Sequence, residues 1–249
     1  MGRIRAAGLA TAALVIAAAA GAAACGAGQG ARDTPVSATP CPTPPAVDPT
    51  TFVHGVDNRY FPLKPGTTWR YRGRDGGDPI LDIVSVSNQT KRILGVDTTV
   101  VRDRAYVNGE LQEDTQDWFA QDKDGTIWYF GEKTREHEDG RLSTEGSWQA
   151  GVNDARAGIF MPRRPRVGQV FHQEFARGVG EDCFQVIGLE TAIRVPYGSS
   201  QHALRTKEFN RLEPGVVDNK WYVPGVGQVR EQTVRGGSDF LQLVSVERP

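Results

Sequence analysis

From residue 67 onward the chain alternates apolar and polar side chains with a period of two, in segments cut short by Gly, Pro, Asn and Asp. This pattern constrains the fold more than anything else in the sequence, because a strand turns successive side chains to opposite faces whereas a helix repeats every ~3.6 residues. Residues 67–74 place Trp69 and Tyr71 on one side. In the next segment Ile80, Asp82, Val84 and Val86 alternate against Leu81, Ile83, Ser85 and Ser87, rich in β-branched residues. Residues 96–107 continue until Asn108-Gly109, a pair that takes positive φ easily and so makes a two-residue hairpin turn. A strand over residues 110–121 is expected to run back antiparallel. It ends at Asp122-Lys123-Asp124-Gly125, and residues 126–130 begin another. That acidic run resembles the opening of a calcium loop, but it lacks the third oxygen side chain and the later bidentate Glu, so a tight turn is the better reading.

Between residues 132 and 165 the pattern loosens into charges, glycines and isolated apolar pieces, and this stretch is expected to fold over one opening of the sheet. Alternation then returns in pieces bounded by Gly or Pro up to a last strand over residues 240–247. No amphipathic helical period is present. The expected fold is all-β: a curved antiparallel meander of roughly ten strands that closes into a barrel or half-barrel to limit exposed edges.

The N-terminus sets the location. Arg3 and Arg5 precede LVIAAAAGAAAC at 14–25, giving the basic head, apolar middle and small-residue end of a secretory signal. Ala22-Ala23-Ala24 suits an ordinary signal cleavage, while small residues directly before Cys25 resemble a lipobox, with Ala22 where Leu is usual. A retained membrane helix is the third reading, weakened by the Ala content and the missing basic stop. Residues 25–51, rich in Gly, Ala, Pro, Thr and Ser, bury too little to offset the entropy of ordering them and are expected to form a disordered tether. The expected organisation is therefore a signal peptide over 1–24, a tether over 25–51 and one extracytoplasmic domain over 52–249. Lipidation of Cys25 would leave Cys41 and Cys183 as a pair able to bridge in an oxidising compartment. Plain secretion is the alternative location.

The net charge of −1 argues against nucleic acid as a partner. Trp69, Trp118, Trp128, Trp148 and Trp221 are expected in the core, with lining of an apolar ligand cavity as the sharper reading. Strand alternation puts His172 and Glu174 on one face, read as a polar outer face, and two groups are too few for a metal. No nucleophile elbow or H-E-x-x-H is present, so no catalytic residue, metal site or cofactor is assigned. Arg163, Arg164 and Arg166 form a basic cluster read as a solvated loop or as a contact for anionic lipid headgroups.

YFPLKPGTTWRY at 60–71, DWFAQDKDGTIWYFGE at 117–132 and KWYVPGVGQV at 220–229 together resemble a set of uncharacterised actinobacterial secreted proteins and lipoproteins. That resemblance spans most of the chain after the signal and implies no activity or catalytic residues. The ending is also similar to lipoprotein-carrier-like half-barrels, which implies a concave face for apolar ligands. The expected function is a lipid-anchored protein, held at the membrane by its N-terminal lipid, that binds an apolar or amphiphilic ligand or an envelope component. The alternatives are a cell-wall hydrolase using acids such as Glu174 and Glu181, and a protein-interaction module.

Overall fold

The computed structural model describes residues 41–138 and 140–249; the expected signal peptide, Cys25 and most of the expected tether lie outside them. A short 3-10 turn at Pro49–Thr51 leads into β1 (Phe52–Val53), and an entry loop over residues 54–67 follows. Four long strands come next: β2 (Thr68–Asp75), β3 (Asp78–Ile93), β4 (Val96–Val107) and β5 (Glu110–Asp122). β6 (Ile127–Lys133) precedes the irregular region, which contains β7 (Glu136–Glu138), β8 (Arg141–Ser143), β9 (Trp148–Gln149) and β10 (Arg156–Met161). The second half holds β11 (Val170–His172), β12 (Glu174–Phe175), β13 (Asp182–Val195), β14 (Gly198–Asn210), β15 (Val217–Val223), β16 (Gly227–Arg235) and β17 (Phe240–Glu247).

Among the described residues the strands form one 17-stranded antiparallel sheet, more finely divided than the roughly ten strands the alternation implies. Each long strand pairs with the next, and β17 then pairs with β2, bringing Leu241 opposite Gly73 and Leu243 opposite Tyr71. Across the molecule, β6 pairs with β10, β10 with β12, and β11 with β13, so the ring is nearly closed into a barrel. The seam is tight: a Cβ at Gly73 would lie 1.6 Å from the Phe240 carbonyl oxygen.

The region between residues 132 and 165 is largely wall. β7 pairs with β5 through Glu136 and Glu113, β8 folds back on β7, and β9 and β10 both pair with β6. Trp148 on β9 and Ile159, Phe160 and Met161 on β10 are buried, whereas Leu142 and Val152 stay exposed, and Trp148 stands edge-on to Tyr129 at 5.4 Å.

Because the strands alternate in direction, the turns at 94–95, 123–125, 162–168 and 224–226 share one end of the barrel with the entry loop. There Phe61 reaches inward and locks with Phe119 and Phe160, which in turn pack on Tyr129. Phe61 lies 5.1 Å from Phe119 and 4.4 Å from Phe160, and Phe119 lies 4.7 Å from Tyr129. Offset and edge-on ring pairs of this kind contribute about 0.5–1.5 kcal/mol each beyond their burial. This end, called the mouth below, is therefore plugged by rings.

Residues 41–51, the end of the expected tether, lie on the domain. Cys41 is disulfide-bonded to Cys183 on β13, Pro44 is buried, and the Lys123 amide donates to the Thr51 carbonyl at 2.7 Å.

Candidate functional site

Below the aromatic plug the interior is lined by acids. One arc holds Asp82 on β3, Asp103 on β4, Glu113 and Asp117 on β5, and Glu132 on β6, all buried. Tyr71 stands opposite Asp82 in the β2–β3 ladder, Asp103 opposite Thr115, and Asp117 opposite Glu132. The other arc holds Glu174 on β12, Asp182 on β13, Glu208 on β14 and Glu231 on β16, also buried. Lys220 on β15 sits among this second set, 2.9 Å from Glu208 and 3.5 Å from Glu231.

A β-bulge makes the first arc possible. Between the pairs Asp117–Glu132 and Phe119–Tyr129, β6 holds one residue more than β5, and Gly131 takes up the excess at φ +124°. Strict alternation would send Tyr129 and Glu132 to opposite faces. With the bulge, the Tyr129 hydroxyl donates to Asp117 Oδ1 at 2.7 Å, while Glu132 Oε2 accepts from Thr134 at 3.0 Å.

This much buried carboxylate cannot all be ionised. The contact chain from Glu113 through Thr115 and Thr134 to Glu132, at 2.9, 3.0 and 3.0 Å, needs three protons, and the two threonine hydroxyls supply two. The third proton belongs to a carboxyl. Asp82 and Asp103 face each other as a carboxyl pair, as do Glu174 and Asp182, and a proton held between the members satisfies both.

Electrostatics points the same way. Burial, reinforced by Asp103, pushes Asp82 and Glu113 well above the usual carboxylate range. Burial with Asp182 beside it does the same to Glu174, and burial with Asp117 beside it to Glu132. Asp117 is raised to about 8 by burial and Asp103. Asp182 and Glu231 are also raised by burial to about 8, and Lys220 limits both rises. Burial works against the Lys220 ammonium, but Glu208 and Glu231 outweigh it and hold its pKa well above the ordinary value.

The barrel interior is therefore a proton-loaded belt below an aromatic plug. Glu174→Gln, which replaces a protonated carboxyl by a neutral group of the same shape, should change stability by less than about 1 kcal/mol at pH 5 and raise it by more than that at pH 8. Denaturant unfolding at the two pH values measures both.

A cleft opens at the mouth. It has a volume of about 500 Å³ and is lined by Asp57, Asn58, Arg59, Gln121, Lys123, Gly125, Arg163 and Arg164. Its floor is rigid: Gln121 Oε1 accepts from the Asp57 and Asn58 amides at 2.9 Å each, and Asn58 Nδ2 donates to the Gly125 carbonyl at 2.9 Å. The carboxylate of Asp57 is taken up by Gln121 Nε2 at 2.6 Å. Arg163 crosses the β5–β6 turn, its Nη1 donating to the Asp124 carbonyl at 3.1 Å, and Arg59 lies over the Tyr60 ring. Among the described residues none of these four cations is in an ion pair, so the cleft presents guanidinium and ammonium donors to solvent.

No protein-family model matches the chain, and no curated protein matches it. Among solved structures, one similar chain is a putative exported protein with a YmcC-like fold from Bacteroides fragilis, 11% identical with a TM-score of 0.41, covering 77% of this chain and 100% of that one. Another is a putative lipoprotein from Parabacteroides distasonis, 12% identical with a TM-score of 0.44, covering 76% of this chain and 99% of that one.

The five tryptophans are all buried. Trp69 donates to the Val226 carbonyl at 2.7 Å, and Trp148 packs on Tyr129. Trp118, between the inward Asp117 and Phe119, points outward under the Lys91 ammonium, 3.1 Å from its ring centre. Trp128 also points outward, packs on Phe52 and donates to Asp122 Oδ2 at 2.9 Å. Trp221 lies under Arg205 and Arg230.

The reading of His172 and Glu174 as one polar outer face is overturned. The strand breaks at Gln173, β11 pairing with β13 and β12 with β10, so Glu174 turns inward and is fully buried while His172 stays half-buried on the other face. Glu181 accepts from Arg211 Nη2 at 2.7 Å and from the Gly178 amide at 2.8 Å. The Arg211 guanidinium holds Glu181 below the usual carboxylate range, outweighing the opposite effect of partial burial.

The sequence shows only half of the basic cleft, the adjacent Arg163 and Arg164 of the cluster read as a solvated loop or as a contact for anionic headgroups. Arg59 and Lys123 reach them through the entry loop and the β5–β6 turn. The acid belt left one trace, Asp82 among Ile80, Val84 and Val86 on an apolar face.

Proposed function

We propose that the protein is an extracytoplasmic lipoprotein, anchored through Cys25, that holds a phosphate-bearing envelope component at the mouth of its barrel. The reading is carried by the cleft, which Arg59, Lys123, Arg163 and Arg164 line with one carboxylate, Asp57, already taken up by Gln121. Guanidinium groups offer paired donors that match phosphate oxygens, and the cleft volume lies within the range of small-molecule sites. The signal-like N-terminus and the Cys41–Cys183 bridge suit a chain that folds outside the cytosol. A lipid anchor would keep the mouth close to a headgroup surface, where each Lys or Arg contributes about 1 kcal/mol. An amphiphile then fits by its anionic head, since the interior is filled with rings and carboxyls.

Sedimentation of the mature protein with vesicles tests this. Binding should be at least about tenfold stronger to vesicles containing phosphatidylglycerol than to pure phosphatidylcholine, and should weaken with salt. Arg163→Gln with Arg164→Gln should remove most of the difference. Binding indifferent to headgroup charge contradicts the proposal. Cys25→Ser should leave the protein held to membranes only through its mouth and so released by high salt, and membrane association that survives the salt wash would refute the anchor.

A further inference from the structure

We propose that Cys41, His172 and Cys183 form a redox-gated site for a thiophilic divalent cation such as Zn²⁺, filled when the disulfide is open. One ligand atom from each residue lies within 4.8 Å of the other two, a spacing that a single ion can span. His172 and Cys183 are placed by the β11–β13 ladder, in which they stand directly opposite. Cys41 is carried to them by the segment that precedes the domain.

A second observation orients the imidazole. His172 Nδ1 lies 2.8 Å from the Pro42 carbonyl oxygen, which can only accept, so Nδ1 carries a hydrogen and in the neutral ring Nε2 is the nitrogen left to hold an ion. A backbone carbonyl holding one ring nitrogen while the other binds the ion is the usual support of a metal-ligating histidine. The Phe175 ring, edge-on at 5.0 Å, limits rotation of the imidazole.

The chemistry balances. A dithiol reductant gives two electrons and two protons to the S–S bond and is itself oxidised to a disulfide, leaving two thiols. Zn²⁺ binding then displaces two protons, and two thiolates and one neutral imidazole hold the ion. Water takes the fourth position, as in three-ligand zinc sites. The consequence is structural: the segment before the domain stays fastened to β13 in either redox state, by a covalent bridge or by the ion.

The test uses the mature full chain, a phosphine reductant that offers no competing thiol, and Co²⁺ as probe. The reduced protein should bind one Co²⁺ with a thiolate-to-cobalt charge-transfer band that added Zn²⁺ abolishes, and the oxidised protein should show no band. His172→Ala leaves both cysteines in place, and its ability to reform the bridge verifies its fold; it should bind Zn²⁺ at least about tenfold more weakly. Absence of the band in the reduced protein, or equal Zn²⁺ affinity in wild type, His172→Ala and Cys41→Ser, would overturn the proposal.

Discussion

The melting temperature should rise by roughly 5–10 °C as the pH falls from 8 to 5, which for a domain of this size corresponds to about 2–3 kcal/mol. Asp117, Asp182 and Glu231 titrate near 8 in the folded protein, and Asp82, Glu113, Glu132 and Glu174 are also raised. In the unfolded chain these groups ionise near ~4. Between the two values the folded state binds more protons, so stability is fully present below the unfolded pKa and is lost as the pH rises through the folded one. A carboxyl that binds its proton tenfold more tightly in the folded chain contributes about 1.4 kcal/mol, so even a fraction of the raised carboxyls accounts for the expected change.

The surface pairs do not reverse the trend. Asp114 and Glu181 are held below their ordinary values by Arg102 and Arg211, so their contribution is constant above pH 5 and fades only in stronger acid. Calorimetry across pH 5 to 8 gives the slope directly. A flat profile, or a maximum at pH 8, would mean that the buried carboxyls are ionised in the folded state.

The second large effect is expected at Gly131. A side chain there would meet the Trp148 carbonyl oxygen at 2.3 Å and the Gln149 Cα at 2.9 Å, on a backbone at φ +124° that L residues rarely adopt. Gly131→Ala should cost at least about 3 kcal/mol and lower the yield of folded protein, because strain and a backbone clash act together. The bulge at this residue brings Tyr129 and Glu132 to the same interior, so relief by straightening β6 would break the Tyr129–Asp117 bond or expel Glu132. Gly109→Ala is the control. Gly109 also has positive φ, but the space beside it is open, so its cost should be about 1 kcal/mol. Similar melting temperatures for the two variants would remove the bulge from the account.

How much of this the residues announce depends on parity. Where alternation is unbroken it carries through: β4 and β17 coincide with the stretches read as strands, and the Asn108-Gly109 hairpin forms with Asn108 at φ +53°. The same parity already separates Trp118 from Asp117 and Phe119. Where a strand breaks or bulges, parity fails. Gly131 and Gln173 each move the register by local geometry that no hydrophobic pattern encodes, and Glu132 and Glu174 become interior residues as a result. The cleft is half legible for a different reason, since Arg163 and Arg164 adjoin in the chain but Arg59 and Lys123 come from separate turns and meet them only once the barrel closes. Likewise, the count of cysteines suggests the pairing of Cys41 with Cys183, but only the fold places His172 beside them.

The central claim is that the mouth, and not the interior, receives the ligand. An amide-resolved NMR titration of the mature protein with a soluble short-chain phosphatidylglycerol tests it most directly. Saturable shifts should concentrate at Asn58, Arg59, Gly125, Arg163 and Arg164, while Val186, Leu204 and Glu231 stay unmoved. Shifts centred on those interior residues, with the mouth unchanged, would contradict the account.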